Sequence, residues 1–186
     1  MIHSTKTPFS GLTIRTVVMA VLAISLLAGC ATVSKTPEPT TPVIGPYPAF
    51  SGRLLVIEPN KRWQVSIDWH AEQPDTGELR LTHAASGTVI ELNWQKPDMQ
   101  LRDSRHPRFR SLASAELAAQ GLFLPPWTLA SILLGNMPPE FEETRTGEWQ
   151  AHLNDALVRL QWQQQEKRLT LTDITHGRQA TLIITP

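Results

Sequence analysis

Among the side chains of this sequence that could move a proton or hold a metal are His70, His83, His106, His152 and His176, with the carboxylates Asp68, Glu78 and Glu91. Metal binding needs ligands that converge, such as histidines one helical turn apart, and acid–base hydrolysis needs two carboxyls facing each other in a pocket. No two of these histidines stand at helical ligand spacing, and most fall in or beside turns or on polar strand faces. Asp68, Glu78 and Glu91 alternate with apolar residues in strand-like runs, on the side where they are expected to meet water rather than a cavity. No Gly-x-Ser-x-Gly elbow, glycine-rich phosphate loop or Cys–His pair is present. The residues therefore predict no catalytic site, no metal and no cofactor.

The remaining reactive group is Cys30, the only cysteine, so neither a disulfide nor a Cys-based metal site can form within the chain. Lys6 and Arg15 precede an uncharged, largely apolar run over residues 16–28. That run is too short for a bilayer core of roughly 30 Å and has the charge and length of a secretory signal. It ends in Leu27-Ala28-Gly29-Cys30, which resembles the bacterial lipobox. The resemblance implies cleavage before Cys30, leaving a thiol that carries diacylglycerol and an acylated amine. Several acyl chains at about 0.8 kcal/mol per buried CH₂ make such an anchor stable. In lipoproteins of this type an Asp just after the cysteine tends to mark inner-membrane retention; Ala31 stands there and favours the periplasmic face of the outer membrane. Residues 1–29 thus read as a signal peptide. Residues 30–48, with Pro37, Pro39, Pro42, Pro46 and Pro48 among Thr and Ser, read as the lipidated cysteine and an extended tether.

Residues 49–186 then form one domain, and its pattern is that of strands. Trp63, Val65, Ile67 and Trp69 alternate with polar residues, and so do Leu79 and Leu81, then Ile90, Leu92 and Trp94, joined through the small residues Ala84-Ala85-Ser86-Gly87. Met99 and Leu101 begin a shorter strand, and four more follow residue 148. Between them, Ser111 or Ser114 is placed to cap a helix ending near Gly121. Pro125-Pro126 and Gly135 bound a second, nearly all apolar helix. The expected fold is mainly β: a curved antiparallel sheet or unclosed β-barrel with a short α-helical lid. Six Trp against one Tyr suit either a core or the wall of a lipid-sized cavity. Zero formal net charge argues against nucleic acid as partner, and a monomer is expected. The run Arg102-Asp103-Ser104-Arg105-His106-Pro107-Arg108-Phe109-Arg110 is locally basic and reads as a solvated loop, or as one that meets an acidic partner or anionic headgroups.

The order of these pieces resembles the LolB family of outer-membrane lipoproteins. The matching stretches are Ser51-Gly52-Arg53-Leu54, the Trp63 to Trp69 strand, Leu79-Arg80-Leu81-Thr82 with Ile90-Glu91-Leu92-Asn93, and Met99-Gln100-Leu101-Arg102-Asp103. Leu124-Pro125-Pro126-Trp127 and Ile132-Leu133-Leu134-Gly135-Asn136-Met137-Pro138 continue the match. The resemblance implies a cavity that takes acyl chains of lipoproteins from a LolA-like periplasmic carrier, without covalent chemistry, and delivers them to the outer membrane. On that reading Trp63, Val65, Ile67, Trp69, Leu79, Leu81, Ile90, Leu92, Trp94 and Leu101 line the cavity, and Trp127, Leu129, Ile132 and Leu133 belong to the lid. The family's protruding loop bears an exposed leucine that helps delivery into the membrane; the matching loop here is Ala84, Ala85, Ser86 and Gly87, with Ala85 where that leucine is expected. The segment after Pro139 is shorter than the family's, which predicts fewer strands and a smaller cavity. Two other readings remain open at this point: a docking subunit that uses the same fold, and an envelope hydrolase, which would need a cleft with two facing carboxylates.

Overall fold

The computed structural model describes residues 43–113, 116–117, 124–153 and 155–185. The signal segment, Cys30 and the tether up to residue 42 lie outside the described residues, as does most of the helix expected over residues 111–121. The strands are β1 (Ala49–Glu58), β2 (Lys61–Gln73), β3 (Thr76–Thr82), β4 (Val89–Gln95), β5 (Asp98–Asp103), β6 (Arg110–Ser111), β7 (Glu142–Arg145), β8 (Glu148–Leu153), β9 (Ala156–Gln163), β10 (Arg168–Asp173) and β11 (Arg178–Thr185). The helix α1 (Pro126–Leu133) lies between β6 and β7. The 11 strands form a single antiparallel sheet in the order β6-β5-β4-β3-β2-β1-β11-β10-β9-β8-β7, which does not close into a barrel.

Alternation makes one face of this sheet apolar, and the register stacks that face in rows. Ile67, Leu81 and Ile90 stand opposite one another across β2, β3 and β4, and Leu79, Leu92 and Leu101 across β3, β4 and β5. In the other half Leu54, Leu182, Leu169 and Trp162 make one row from β1 to β9. β6 and β7 are the two strands that the alternation does not mark. Every residue of both is exposed, because they are edge strands that join by backbone pairing and carry no apolar face. With β7, the segment after Pro139 supplies five strands rather than the four read from its pattern.

α1 follows from its termini. Pro126 sits in the first turn, where a missing N–H costs nothing, and the helix ends in a Schellman arrangement. The Gly135 N–H donates to the Ile132 carbonyl (3.0 Å) and the Asn136 N–H to that of Ser131 (2.9 Å), with Gly135 at φ +89°. Ala130, Ile132 and Leu133 are fully buried, while Trp127 and Leu129 are half-buried against the core. The packed part of the chain starts before Ala49: Ile44 is buried, and the Tyr47 N–H donates to the Leu133 carbonyl at the end of α1 (2.8 Å). Ser111 ends β6 rather than opening a helix; Glu116 and Leu117 are helical, both N–H groups donating to the Ala113 carbonyl.

The wet face is organised by charge. Asp68, Arg80, Glu91 and Arg102 are directly opposite one another across β2 to β5, so charges alternate along one row. The Arg102 Nε–H donates to the Glu91 carboxylate, which also has Arg80 at 4.0 Å. That hydrogen bond, opposed by partial burial and helped by both guanidinium charges, holds the Glu91 carboxyl below its ordinary value of 4.5. In the β10–β11 turn Asp173 is fully buried. Burial raises its pKa, but hydrogen bonds from the Arg178 guanidinium (2.6 Å) and the His176 N–H (3.0 Å) outweigh it and hold the group below 3.8.

Two outcomes follow from these contacts. A Cβ at Gly77 would stand 2.3 Å from the Trp94 ring and 2.7 Å from the His70 carbonyl, so Gly77→Ala is expected to cost about 1–3 kcal/mol of stability in urea unfolding. Glu91 and Asp173 both titrate lower folded than unfolded. Their contribution is therefore complete above the unfolded values and is lost as pH falls through the folded ones. A Glu91→Gln/Asp173→Asn chain should be less stable at neutral pH and lose less stability between about pH 5 and pH 3 than the parent, by tryptophan fluorescence.

Candidate functional site

The apolar face is filled at one end and open at the other, and side-chain size is the cause. Towards the turn between β2 and β3, Trp69 stacks on Phe50 (6.1 Å between rings, 19°) and tilts against Trp94 (5.1 Å). The Trp94 indole N–H is satisfied by the Pro74 carbonyl at 3.0 Å. Towards the β3–β4 loop the same face carries mainly Val, Leu and Ile, too small to reach across. There a cavity of about 450 Å³ opens, lined by Lys61, Trp63, Val65, Leu79, Leu81, His83, Ser86, Thr88, Ile90, Leu92, Leu101 and Leu117. Sites that enclose most of a small organic ligand run from roughly 300 to 1,000 Å³.

Of the residues expected around a cavity, Trp63, Val65, Leu79, Leu81, Ile90, Leu92 and Leu101 line this one. Ile67, Trp69 and Trp94 do not: Ile67 is buried in the row of Leu81 and Ile90, and Trp69 and Trp94 fill the other end of the face, where their own bulk closes it. The lid residues Trp127, Leu129, Ile132 and Leu133 are also absent from its wall, since α1 packs over the filled end against β2. Lys61, His83, Ser86, Thr88 and Leu117 were not expected. Lys61 and His83 share the parity of Trp63 and Leu81, so the alternation, carried to the strand ends, marks them. Thr88 likewise shares the parity of Ile90 and Leu92, while Ser86 and Leu117 carry no such signal.

The mouth is framed by the β3–β4 loop. Ala84, Ala85, Ser86 and Gly87 are all exposed, and the loop is held by its own polar groups. The Ser86 N–H donates to His83 Nδ1 (3.2 Å), the Ser86 hydroxyl donates to Thr88 Oγ1 (2.9 Å), and the His83 N–H donates to the Thr88 carbonyl (2.9 Å). The loop therefore keeps its shape with no buried anchor and presents small side chains outward.

The wet face differs from expectation in one respect. Asp68, Glu78 and Glu91 do not simply meet bulk water; with His70, Arg80, Asn93, Arg102 and Phe109 they border an open depression of about 470 Å³. Its carboxylates face basic side chains and hydroxyls rather than each other. The Ser51 hydroxyl donates to Asp68 (2.7 Å), His70 lies 4.0 Å from Glu78, and Glu91 is held ionised between two arginines. Glu91 is thereby a poor general acid, since a retained proton would need a raised pKa. Among the described residues, no three His, Cys, Asp or Glu side chains come together as a metal site.

Comparison with known proteins agrees with this geometry. The family model described as outer membrane lipoprotein LolB matches residues 49–180, which takes in β1 through β10 and the first three residues of β11. No curated protein matches the chain. An unclosed antiparallel sheet, a short apolar helix and a match from β1 to the start of β11 place the chain in the LolB family of outer membrane lipoproteins, whose part in lipoprotein localisation is not enzymatic.

Proposed function

We propose that the protein takes up acyl chains of lipoproteins in the inner cavity, receives them from a LolA-like periplasmic carrier, and passes them to the outer membrane. It does so anchored through lipidated Cys30 on the periplasmic face. The observation that carries this reading is the cavity of about 450 Å³, walled by Val65, Leu79, Leu81, Ile90, Leu92 and Leu101 and open beside an exposed loop. Uptake needs no bond chemistry. Removing a chain of CH₂ groups from water supplies roughly 0.8 kcal/mol per group, and the bilayer offers the same gain on release. Family membership supports lipoprotein cargo and a carrier partner in general terms.

Filling the cavity tests the reading. Ile90→Trp at the half-buried mouth and Leu81→Phe deeper in are expected to weaken binding of a fluorescent fatty acid at least tenfold while the thermal midpoint stays within a few degrees. Native mass spectrometry of the parent should show bound lipid. A lipid-free mass, with unchanged probe binding in both variants, would sink the proposal and move a docking subunit to first place.

Ala85 gives a second expectation. A leucine there would offer about 2 kcal/mol more apolar burial, so Ala85→Leu should speed transfer of an acylated lipoprotein into vesicles by at most about 30-fold. Delivery slower than that of the parent would show that the loop does not meet the bilayer.

A further inference from the structure

We propose that the end of the β1–β6 half at which the cavity opens docks on an anionic phospholipid surface. What passes through the mouth rests on the acyl-cargo reading above; the docking rests on charge and placement. Because β1 to β6 run alternately up and down, the turn at residues 59–60 and the loops at residues 83–88 and 104–109 share one end of the sheet. The two loops are tied together: the Val89 N–H donates to Ser104 Oγ (2.8 Å) and the Ser104 N–H to the Val89 carbonyl (3.0 Å).

On this end Lys61, Arg62, Arg105 and Arg108 are exposed, and none makes an ion pair among the described residues. The acidic groups beside them are already engaged. Asp103 accepts the N–H groups of Arg105 and His106 (both 2.7 Å), Glu116 takes Arg110 (3.5 Å), and Glu58 lies 3.5 Å from the Trp63 indole N–H. A chain of zero formal net charge thus presents free cations at its mouth, and Lys61 itself lines the cavity. The same end carries Phe109, 38% exposed, and Ile174, 41% exposed, in the β10–β11 turn that reaches Pro59 through Gly177. Cations beside exposed apolar side chains suit the boundary between headgroups and acyl chains, where both are satisfied at once.

The anchor permits this orientation. β1 enters at the opposite end, where the Ala71 N–H donates to the Pro48 carbonyl (2.7 Å) and Ala49 pairs with His70. Cys30 stands about 13 residues before Val43, a reach of at most roughly 45 Å, against about 33 Å for the length of β1. A chain held at Cys30 can therefore lay its mouth end on the same bilayer.

The test uses the full chain purified from outer membranes with its anchor and reconstituted into vesicles, with a polar dye on Ala84→Cys and a quencher fixed within the bilayer. Strong quenching is expected in phosphatidylcholine vesicles containing phosphatidylglycerol. It should be several-fold weaker in phosphatidylcholine alone, and at high salt, where screening is tighter than the roughly 8 Å of physiological solution. A dye on Gln73→Cys at the opposite end should stay unquenched, and Arg105→Glu/Arg108→Glu should abolish the effect at Ala84→Cys. Equal quenching in neutral and anionic vesicles, or none in either, overturns the proposal; salt-sensitive capture of an acidic carrier without quenching assigns the cations to a protein instead. Fatty-acid uptake, read on the same samples, separates the two readings: docking without uptake removes only the cargo assignment, and uptake without docking removes only this one.

Discussion

The pairing of β1 with β11 is the interaction on which the rest depends. It brings the two ends of the packed unit together in the middle of the sheet, with Leu54 opposite Leu182 and Val56 opposite Ala180, and leaves the open edges to β6 and β7. A slip of one residue in this pair would turn one half's apolar face outward, because side chains alternate with a period of two. The register is therefore set by burial, and the halves can then curve around a shared interior. The chain from residue 112 to residue 141 links the two edges and brings α1 over that interior rather than leaving it exposed.

Within this frame, function comes from uneven filling. A face packed throughout to crystal-like density would be a core and nothing more. Phe50, Trp69 and Trp94 do pack one end in that way, with Ile44 and the helix above them. The other end is walled by smaller aliphatic side chains and left partly empty, so the same alternation that builds the core also builds the cavity. The stability of the packed end allows the open end to exist, since the open rows forgo the dispersion contacts that a full core would supply.

Charge follows a similar division. The Asp68–Arg80–Glu91–Arg102 row neutralises itself across the wet face, and Asp173 is satisfied inside its turn. Such self-compensation leaves little for a partner to read. The loops around the cavity mouth are different, since their acidic groups are spent on backbone N–H groups and neighbours while several of their cations point to solvent. Overall neutrality and local polarity are compatible because the paired charges and the free ones sit on different surfaces.

The sequence by itself determined the sheet, the apolar parity of eight strands, the ends of α1 and the family. These depend on local rules: a period of two, Pro at the start of a helix and Gly just past its end. It also named most of the cavity wall, because residues of one parity in adjacent strands must share a face. What it did not contain was which part of that face stays open. Trp69 and Trp94 carry the same signal as Val65, Leu81 and Leu92, and only the packing of Phe50 and α1 over one end separates filler from wall. The edge strands β6 and β7 were invisible for the opposite reason, having no buried side chain to betray them. Arg105 and Arg108 were legible as one basic run, but their gathering with Lys61 and Arg62 at one end came from topology, since contacts between distant loops leave no periodicity in the sequence.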